Sequence, residues 1–374
     1  MDAEIGIIGL GTMGSMAAWQ LAKSGTSVIG FEQFGIGHDR SAAGGETRIF
    51  RTIYKEGSEY VPLLKRAHKL WRDLENESGE KLLHITKALT IGIPDSSMDN
   101  IWRSIESHNL DYQKLDYGQA KQLFPQHKLS PEEIIVVDPK GGYIRPQQAI
   151  VAAIGLAKEL GTRIMDYTNV EDIEQKHDKI IIKANGRNYS VKKVLIAAGP
   201  WSKTIIPELN NPLEVRRLVN AWFLPKKKGT FDQEQFPVFA RNSNLGNYYG
   251  IPAVDANMIK IGMFSTTNEK IRLADELNKN ITKDETNIFT KIVKNHLPLL
   301  HASPSRINAY MEVYTNDKHP IIGNMPNNKN IVALTGFSGH GFKMAPVIGE
   351  IGASLLFNGK TDFKLDQFSP SRFL

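Results

Sequence analysis

Apolar positions at the start of the chain alternate between strand and helix spacing. Residues 4–9 (EIGIIG) form a short continuous apolar run, and residues 15–24 follow with helical spacing that offers Met16, Trp19 and Leu21 for burial. Gly25 ends that helix, and residues 27–31 (SVIGF) are a second apolar run closing on Glu32. Two apolar runs around one helix predict a βαβ unit whose parallel strands are buried on both faces. A strongly amphipathic helix is expected from Ser58, read as its N-cap, with Pro62 in the first turn and an end near Gly79. Its stripe is Tyr60, Leu63, Leu64, Ala67, Leu70, Trp71 and Leu74.

From 81 to 139 the texture changes to short pieces, such as a strand at 88–93 and a helical stretch at 119–124. A helix is expected over 146–161, then strands at 163–167, 179–184 and 189–191, with Asn185-Gly186 as a type I′ hairpin signal. Residues 194–198 (VLIAA) read as a buried strand ended by Gly199 and Pro200. Between 211 and 315 the pattern is strand-rich, at 215–224, 247–251, 258–263 and 306–314, with one helix near 285–295. A strand at 330–335, a glycine-rich loop and a helix over 344–357 ended by Gly359 complete the chain.

At 374 residues there is room for two lobes. A 41% hydrophobic and 23% charged composition is that of an ordinary globular protein. The net charge of +6 is spread along the chain, and its densest patch, Lys226 to Lys228 beside Pro225, reads as a solvated loop rather than a nucleic-acid footprint. The absence of cysteine excludes disulfides, thiolate metal sites and any cysteinyl bond to a cofactor, and no metal site is expected. No run approaches the roughly 20 apolar residues of a membrane span, and the start at Met1 lacks signal-peptide character, so a cytoplasmic protein without membrane partners is expected.

Gly9, Gly11 and Gly14 form GxGxxG between strand and helix, and Glu32 ends the next strand. The glycines allow a tight turn and close approach of backbone to a pyrophosphate, the helix N-terminus offers free N–H groups, and Glu32 can accept a ribose hydroxyl. By itself the motif serves FAD or NAD equally, and GLGTMGSMAAWQLAKSG also resembles the opening of β-hydroxyacid dehydrogenases. Later features favour FAD. VLIAAGPW, with Gly199 and Trp201, resembles the second signature of glutathione-reductase-type flavoproteins, and residues 211–315 look like sheet rather than a helical bundle. GFSGHGFK packs Gly336, Gly339 and Gly341 with His340 and Lys343 before a helix, which suits backbone N–H groups aimed at developing negative charge.

With these residues in place, the chain resembles the monomeric sarcosine oxidase family, which includes N-methyltryptophan oxidase and belongs with D-amino-acid and glycine oxidases. The likeness runs through GETRIFRTIYKEGSEYVPL, YYGIP followed by IKIG, EVYTNDKHPIIG and GFSGHGFK, in order. It implies an α/β, two-domain (α+β) fold: a discontinuous FAD-binding Rossmann domain (1–80, 140–210 and 316–374) and a sheet-rich substrate domain (81–139 and 211–315). It implies that Arg51 and Lys343 hold a substrate carboxylate, that Thr47 and Arg48 lie beside the flavin, that Tyr249 and Tyr314 line the substrate cavity, and that Lys260 activates oxygen. Read without the resemblance, Arg48 and Arg51 are exposed ion-pairing residues, and Lys260 is the outward side of a half-exposed strand.

Two positions depart from the family pattern. Glu312 stands where the family often carries a cysteine that tethers the flavin, so FAD is expected to be held without a covalent link. Phe264 stands where sarcosine oxidase carries an active-site histidine, which makes the pocket more apolar. The implied activity is oxidation of a small amino acid or secondary amine, with electrons passed to O2 and the imine hydrolysed. The substrate alternatives are sarcosine, other N-alkyl amino acids, cyclic imino acids and sugar-amine conjugates. A flavin dehydrogenase with another acceptor, a nicotinamide-dependent hydroxyacid dehydrogenase and a non-catalytic flavin-binding protein are the competing functions. A monomer or weak homo-oligomer is expected.

Overall fold

The computed structural model describes residues 1–255, 257–264 and 269–374. Its first unit is the expected βαβ: strand Ile5–Ile8, helix Thr12–Lys23 and strand Val28–Phe31, the two strands parallel with Ile5 opposite Val28. These strands lie within a six-stranded sheet, which runs Ile321–Met325, Asn328–Thr335, Lys193–Ile196, Ile5–Ile8, Val28–Phe31, Arg163–Met165. All neighbours are parallel except the first two, which form an antiparallel hairpin.

One face of this sheet is covered by helices Thr12–Lys23, Val61–Ser78, Pro146–Glu159 and Ala345–Asn358, in a core that includes Trp19 and Trp71. The other face packs on the antiparallel hairpins of Val170–Lys176, Lys179–Ala184 and Arg187–Val191, through Ile180, Ile182 and Val191. Both faces are thereby dry, which explains the unbroken apolar runs of the parallel strands.

A second, nine-stranded sheet draws its strands from Ala88–Gly92, Gln113–Leu115 and Ile134–Asp138, and from the span between Leu213–Phe223 and Arg306–Thr315. Helix Lys283–His296 seals one face with Phe289, Ile292 and Val293. A small sheet, Arg48–Phe50, Gly142–Ile144 and Leu83–Ile85, adjoins them. No helix among the described residues is long and apolar enough to cross a membrane.

The expected stripe of the long helix is wholly buried, but its start differs. Ser58 opens a 3₁₀ turn (Ser58–Tyr60) and the α-helix begins at Val61, with no side-chain cap at either junction. Pro62 lacks an N–H, so one of the donors a cap would satisfy is already missing. The first helix begins at Thr12 rather than at 15, because the glycine segment itself forms its first turn. Helix Ser96–His108 and strands Ile134–Asp138, Val170–Lys176 and Val238–Ser243 were not anticipated. Asn185 and Gly186 do form the positive-φ hairpin turn, at 46° and 71°.

Candidate active site

A cleft of about 1130 Å³ is lined by the glycine turn, by residues of the nine-stranded sheet and by Arg51, Lys55 and Glu56. This exceeds the usual span of small-molecule pockets, roughly 300–1,000 Å³, and suits a large cofactor with a small substrate beside it.

At one end, Gly9 turns the chain at φ 85°. A Cβ on Gly14 would sit 1.8 Å from the Gly9 carbonyl oxygen, so Gly14 permits helix–strand contact and does not line the cleft. A Cβ on Gly11 would meet nothing within 4 Å, so Gly11 opens directly onto the cleft. Helix Thr12–Lys23 has no side-chain cap, which leaves its first N–H groups free for an anion. Glu32 is buried with its carboxylate fixed: Leu10 N–H donates to it at 3.0 Å and Phe34 N–H at 3.1 Å. Gly199 and Trp201 face the same end, where the Trp201 indole donates to Asp275 at 3.0 Å.

Elsewhere on the lining Arg51 is buried, with Nη2 donating to both oxygens of Glu56 at 3.2 Å and Nη1 buried without a partner among the described residues. Lys343 is buried nearby, its Nζ donating to the neutral acceptors Tyr54 Oη (3.3 Å) and His340 O (2.8 Å). The two cations share one ring: Arg51 Cζ and Lys343 Nζ lie 5.4 and 5.1 Å from the centre of Tyr54. Burial lowers Lys343 to about 7, aided by Arg51 and opposed by Glu56. Burial alone would raise Glu56, but Arg51, Lys55, His340 and Lys343 outweigh it and hold the carboxyl at about 2.

Asp138 hangs this loop from the sheet. Its Oδ2 accepts from Thr52 N–H (2.6 Å), the Thr52 hydroxyl (3.0 Å) and Ile53 N–H (3.0 Å).

Along the middle wall, register sets the geometry: Tyr249 faces Gly262, which faces Asn220, and Tyr249 Oη donates to Asn220 Oδ1 at 3.1 Å. Lys260, two residues from Gly262, is buried behind the wall, with Nζ donating to the carbonyls of Gly45 (2.9 Å) and Thr47 (2.6 Å). Burial, then Arg48, pushes Lys260 well below the usual lysine range. Arg48 lines the cleft and donates to the carbonyls of Thr47, Ala42 and Gly44. Glu312 opens into the cleft beside Tyr314 and the Gly339 N–H, and burial raises its carboxyl despite Arg48.

The sequence-predicted Gly9, Gly11, Glu32, Arg48, Arg51 and Tyr249 therefore meet in one cleft. So do Tyr314, Gly339, His340, Gly341 and Lys343, brought from the far end of the chain. Gly14, Thr47, Lys260 and Gly336 stand behind its surface. Thr47 contributes a carbonyl to Lys260 and Arg48, and a Cβ on Gly336 would press on Thr315 at 2.5 Å. Neither Arg48 nor Arg51 is an exposed ion-pairing residue, and Lys260 is not on an open sheet face, because the 44–48 segment covers it. Sequence reasoning gave no role to Tyr54, Lys55, Glu56, Asn220 or Asp138. Glu56 and Lys55 had a visible signal, opposite charges adjacent to one another and near Arg51.

Residues 4–355 match the family described as FAD dependent oxidoreductase. The chain belongs to this family. As an FAD dependent oxidoreductase, it is 28% identical to monomeric sarcosine oxidase of Streptomyces avermitilis, over 99% of this chain and 97% of that protein. It is 30% identical to N-methyl-L-tryptophan oxidase of Salmonella enteritidis PT4, over the whole of both. Among solved structures it superposes on NikD, an unusual amino acid oxidase, with TM-score 0.87, 18% identity and 98% and 97% of the two chains covered. It superposes on L-proline dehydrogenase from P. horikoshii with TM-score 0.83 at 25% identity, over 100% and 98%.

The nicotinamide-dependent alternative falls with this assignment. The cleft also fits FAD on its own chemistry: an uncapped helix terminus and the open Gly11 would receive the pyrophosphate, and the oriented Glu32 would receive a ribose.

Proposed function

We propose that this FAD dependent oxidoreductase oxidises a small amino acid or secondary amine that carries a carboxylate. The observation that carries the reading is the pair Arg51 and Lys343, which line the cleft and share a contact with the Tyr54 ring. Among the described residues Arg51 Nη1 is a buried donor without an acceptor and the Lys343 ammonium hydrogen-bonds to neutral oxygens, so an incoming carboxylate satisfies both. In this reading residues 1–80, 140–210 and 316–374 hold FAD, while 81–139 and 211–315 supply the substrate wall. Bound FAD would supply the acceptor for a hydride from the carbon beside nitrogen, leaving an imine that water would hydrolyse.

The chain's own part is positional and electrostatic. Arg51 and Lys343 fix the acid group, Tyr249 and Tyr314 border the space next to it, and Glu312 offers a carboxyl that burial biases toward its protonated form. With no cysteine in the chain and Glu312 at the position the family often uses for attachment, FAD is held by contacts alone.

Anaerobic mixing with a panel of N-methyl and cyclic amino acids tests the activity: loss of flavin colour supports it, and a panel that leaves the colour intact refutes it. Acid precipitation should leave flavin in the supernatant; flavin in the pellet refutes non-covalent binding.

Molecular oxygen is the acceptor in this reading, giving H2O2, with Lys260 poised behind the wall. A second acceptor has support of its own. Lys260 is tied to two carbonyls and biased toward neutrality, and the likeness to a proline dehydrogenase matches an enzyme named for dehydrogenation. Peroxide formed per substrate consumed, set against dye reduction, separates the two.

A further inference from the structure

The cleft holds a third basic side chain beside Arg51 and Lys343. Lys55 reaches into it from the loop that carries Arg51, its ammonium 4.2 Å from the centre of the Phe264 ring. Phe264 lies against Tyr249, ring centres 5.1 Å apart, so Lys55 stands over the same aromatic wall that borders the substrate space. Asn100 Nδ2 donates to the Lys55 carbonyl at 3.0 Å and steadies the backbone there.

The adjacent carboxylate, Glu56, already receives Arg51 on both oxygens. Among the described residues no carboxylate forms an ion pair with the Lys55 ammonium; Glu56 acts on it most strongly, and Asp95 acts at longer range while its oxygens serve Ser97, Met98 and Asn242. Lys318 adds further positive potential.

Among the described residues Glu56 is the carboxylate hydrogen-bonded within this group of cations, and it is engaged by Arg51, while Glu312 lines the same cleft. A substrate with one carboxylate, held by Arg51 and Lys343, leaves the half-buried Lys55 ammonium over the Phe264 ring without an ion-pair partner among the described residues, which is unfavourable.

We propose that the substrate is a dicarboxylic amino acid or its N-alkyl derivative, with the carboxylate next to the amine on Arg51 and Lys343 and the side-chain carboxylate on Lys55. This rests on the carboxylate-anchored reading of the site and adds a second anchor. Lys55 is then the residue that sets substrate choice, and its half-buried place beside the Phe264 ring makes the ion pair worth more than a fully exposed one.

The test uses the FAD-loaded enzyme with an inert probe pair, glutarate and its mono-amide glutaramate, followed by perturbation of the flavin spectrum. Wild type should bind glutarate at least about tenfold more tightly than glutaramate, the range of one charge-assisted hydrogen bond. Lys55→Met should bring the two to near equality, and Lys55→Arg should keep the preference. In anaerobic reduction, N-methylglutamate and N-methylaspartate should act at lower concentration than their amides, with the same dependence on Lys55. Equal binding of acid and amide by wild type, no binding of glutarate, or a preference that survives Lys55→Met overturns the inference. If N-methylalanine bleaches the flavin while the diacids do not, the amine-oxidising reading stands and the second anchor falls. If no amine bleaches it, both fall.

Discussion

Lys343 should make carboxylate binding depend on pH within the neutral range. Its ammonium is lowered from 10.5 to about 7, which corresponds to about 5 kcal/mol favouring the neutral form. The sign follows directly. Below pH 7 the ammonium is present and attracts the anion; above it the free enzyme has lost that proton, and binding must recover it. Affinity for an inert carboxylate such as propionate should therefore fall as pH rises from 6 to 9.

The size of the fall is set by the charge-assisted bond that is lost, about 1.5–3 kcal/mol, or roughly 10–100-fold. Of the other groups facing Lys343, Glu56 is held at about 2, His340 is lowered to about 4 and burial raises Tyr54; burial also raises the Glu312 carboxyl, so Glu312→Gln is the second reference for the titration. Lys55 is also lowered by burial, so the Lys343 contribution is the difference between wild type and Lys343→Met. Titration of the flavin spectrum with propionate gives the affinity, and calorimetry in two buffers of different ionisation enthalpy counts the protons taken up. Proton uptake near pH 8 that disappears in Lys343→Met is expected. An affinity that is flat from pH 6 to 9 refutes the reasoning.

Three further outcomes follow from the geometry. Lys260→Met should slow reoxidation of the flavin by oxygen far more than its reduction by substrate, as read by stopped-flow absorbance; equal slowing of both half-reactions removes Lys260 from oxygen chemistry. Gly14→Ala places a methyl 1.8 Å from the Gly9 carbonyl oxygen, so retained flavin per chain should drop and the melting temperature with it; full flavin content would show that the turn can yield. Asp138→Ala strands Thr52 and Ile53 N–H groups and should cost about 2–5 kcal/mol in denaturant unfolding, with weaker carboxylate binding because Arg51 loses its support; an unchanged midpoint contradicts that role.

Local features were legible where one chemical rule dominated. The glycine turn, the acid after the second strand and the stripe from Tyr60 to Leu74 each follow from backbone geometry or periodicity alone. Helix Ser96–His108 was legible in principle, since Asp95 caps it and Met98, Ile101 and Ile105 give its buried face, but exposed polar residues dilute the pattern. The meeting of Arg51 with Lys343 was not readable from spacing. It depends on the Asp138 tether, on Tyr54 lying between the two cations and on Trp71, whose indole donates to the Lys343 carbonyl at 3.0 Å. Lys260 misled for a related reason: alternation along Ile259–Met263 implies one wet face, whereas tertiary cover makes every residue of that strand buried.

The parallel sheet also bears on how the protein comes to be made. Its central strand, Ile5–Ile8, waits for Lys193–Ile196, which in turn waits for Asn328–Thr335 before the row is complete. During synthesis the nucleotide pocket thus has no finished floor until nearly all of the polypeptide has left the ribosome, and such long-range pairing is slow to form. Loss of the last fifty or so residues removes both the closing hairpin and Lys343, which leaves an unpaired strand edge open to association with other chains.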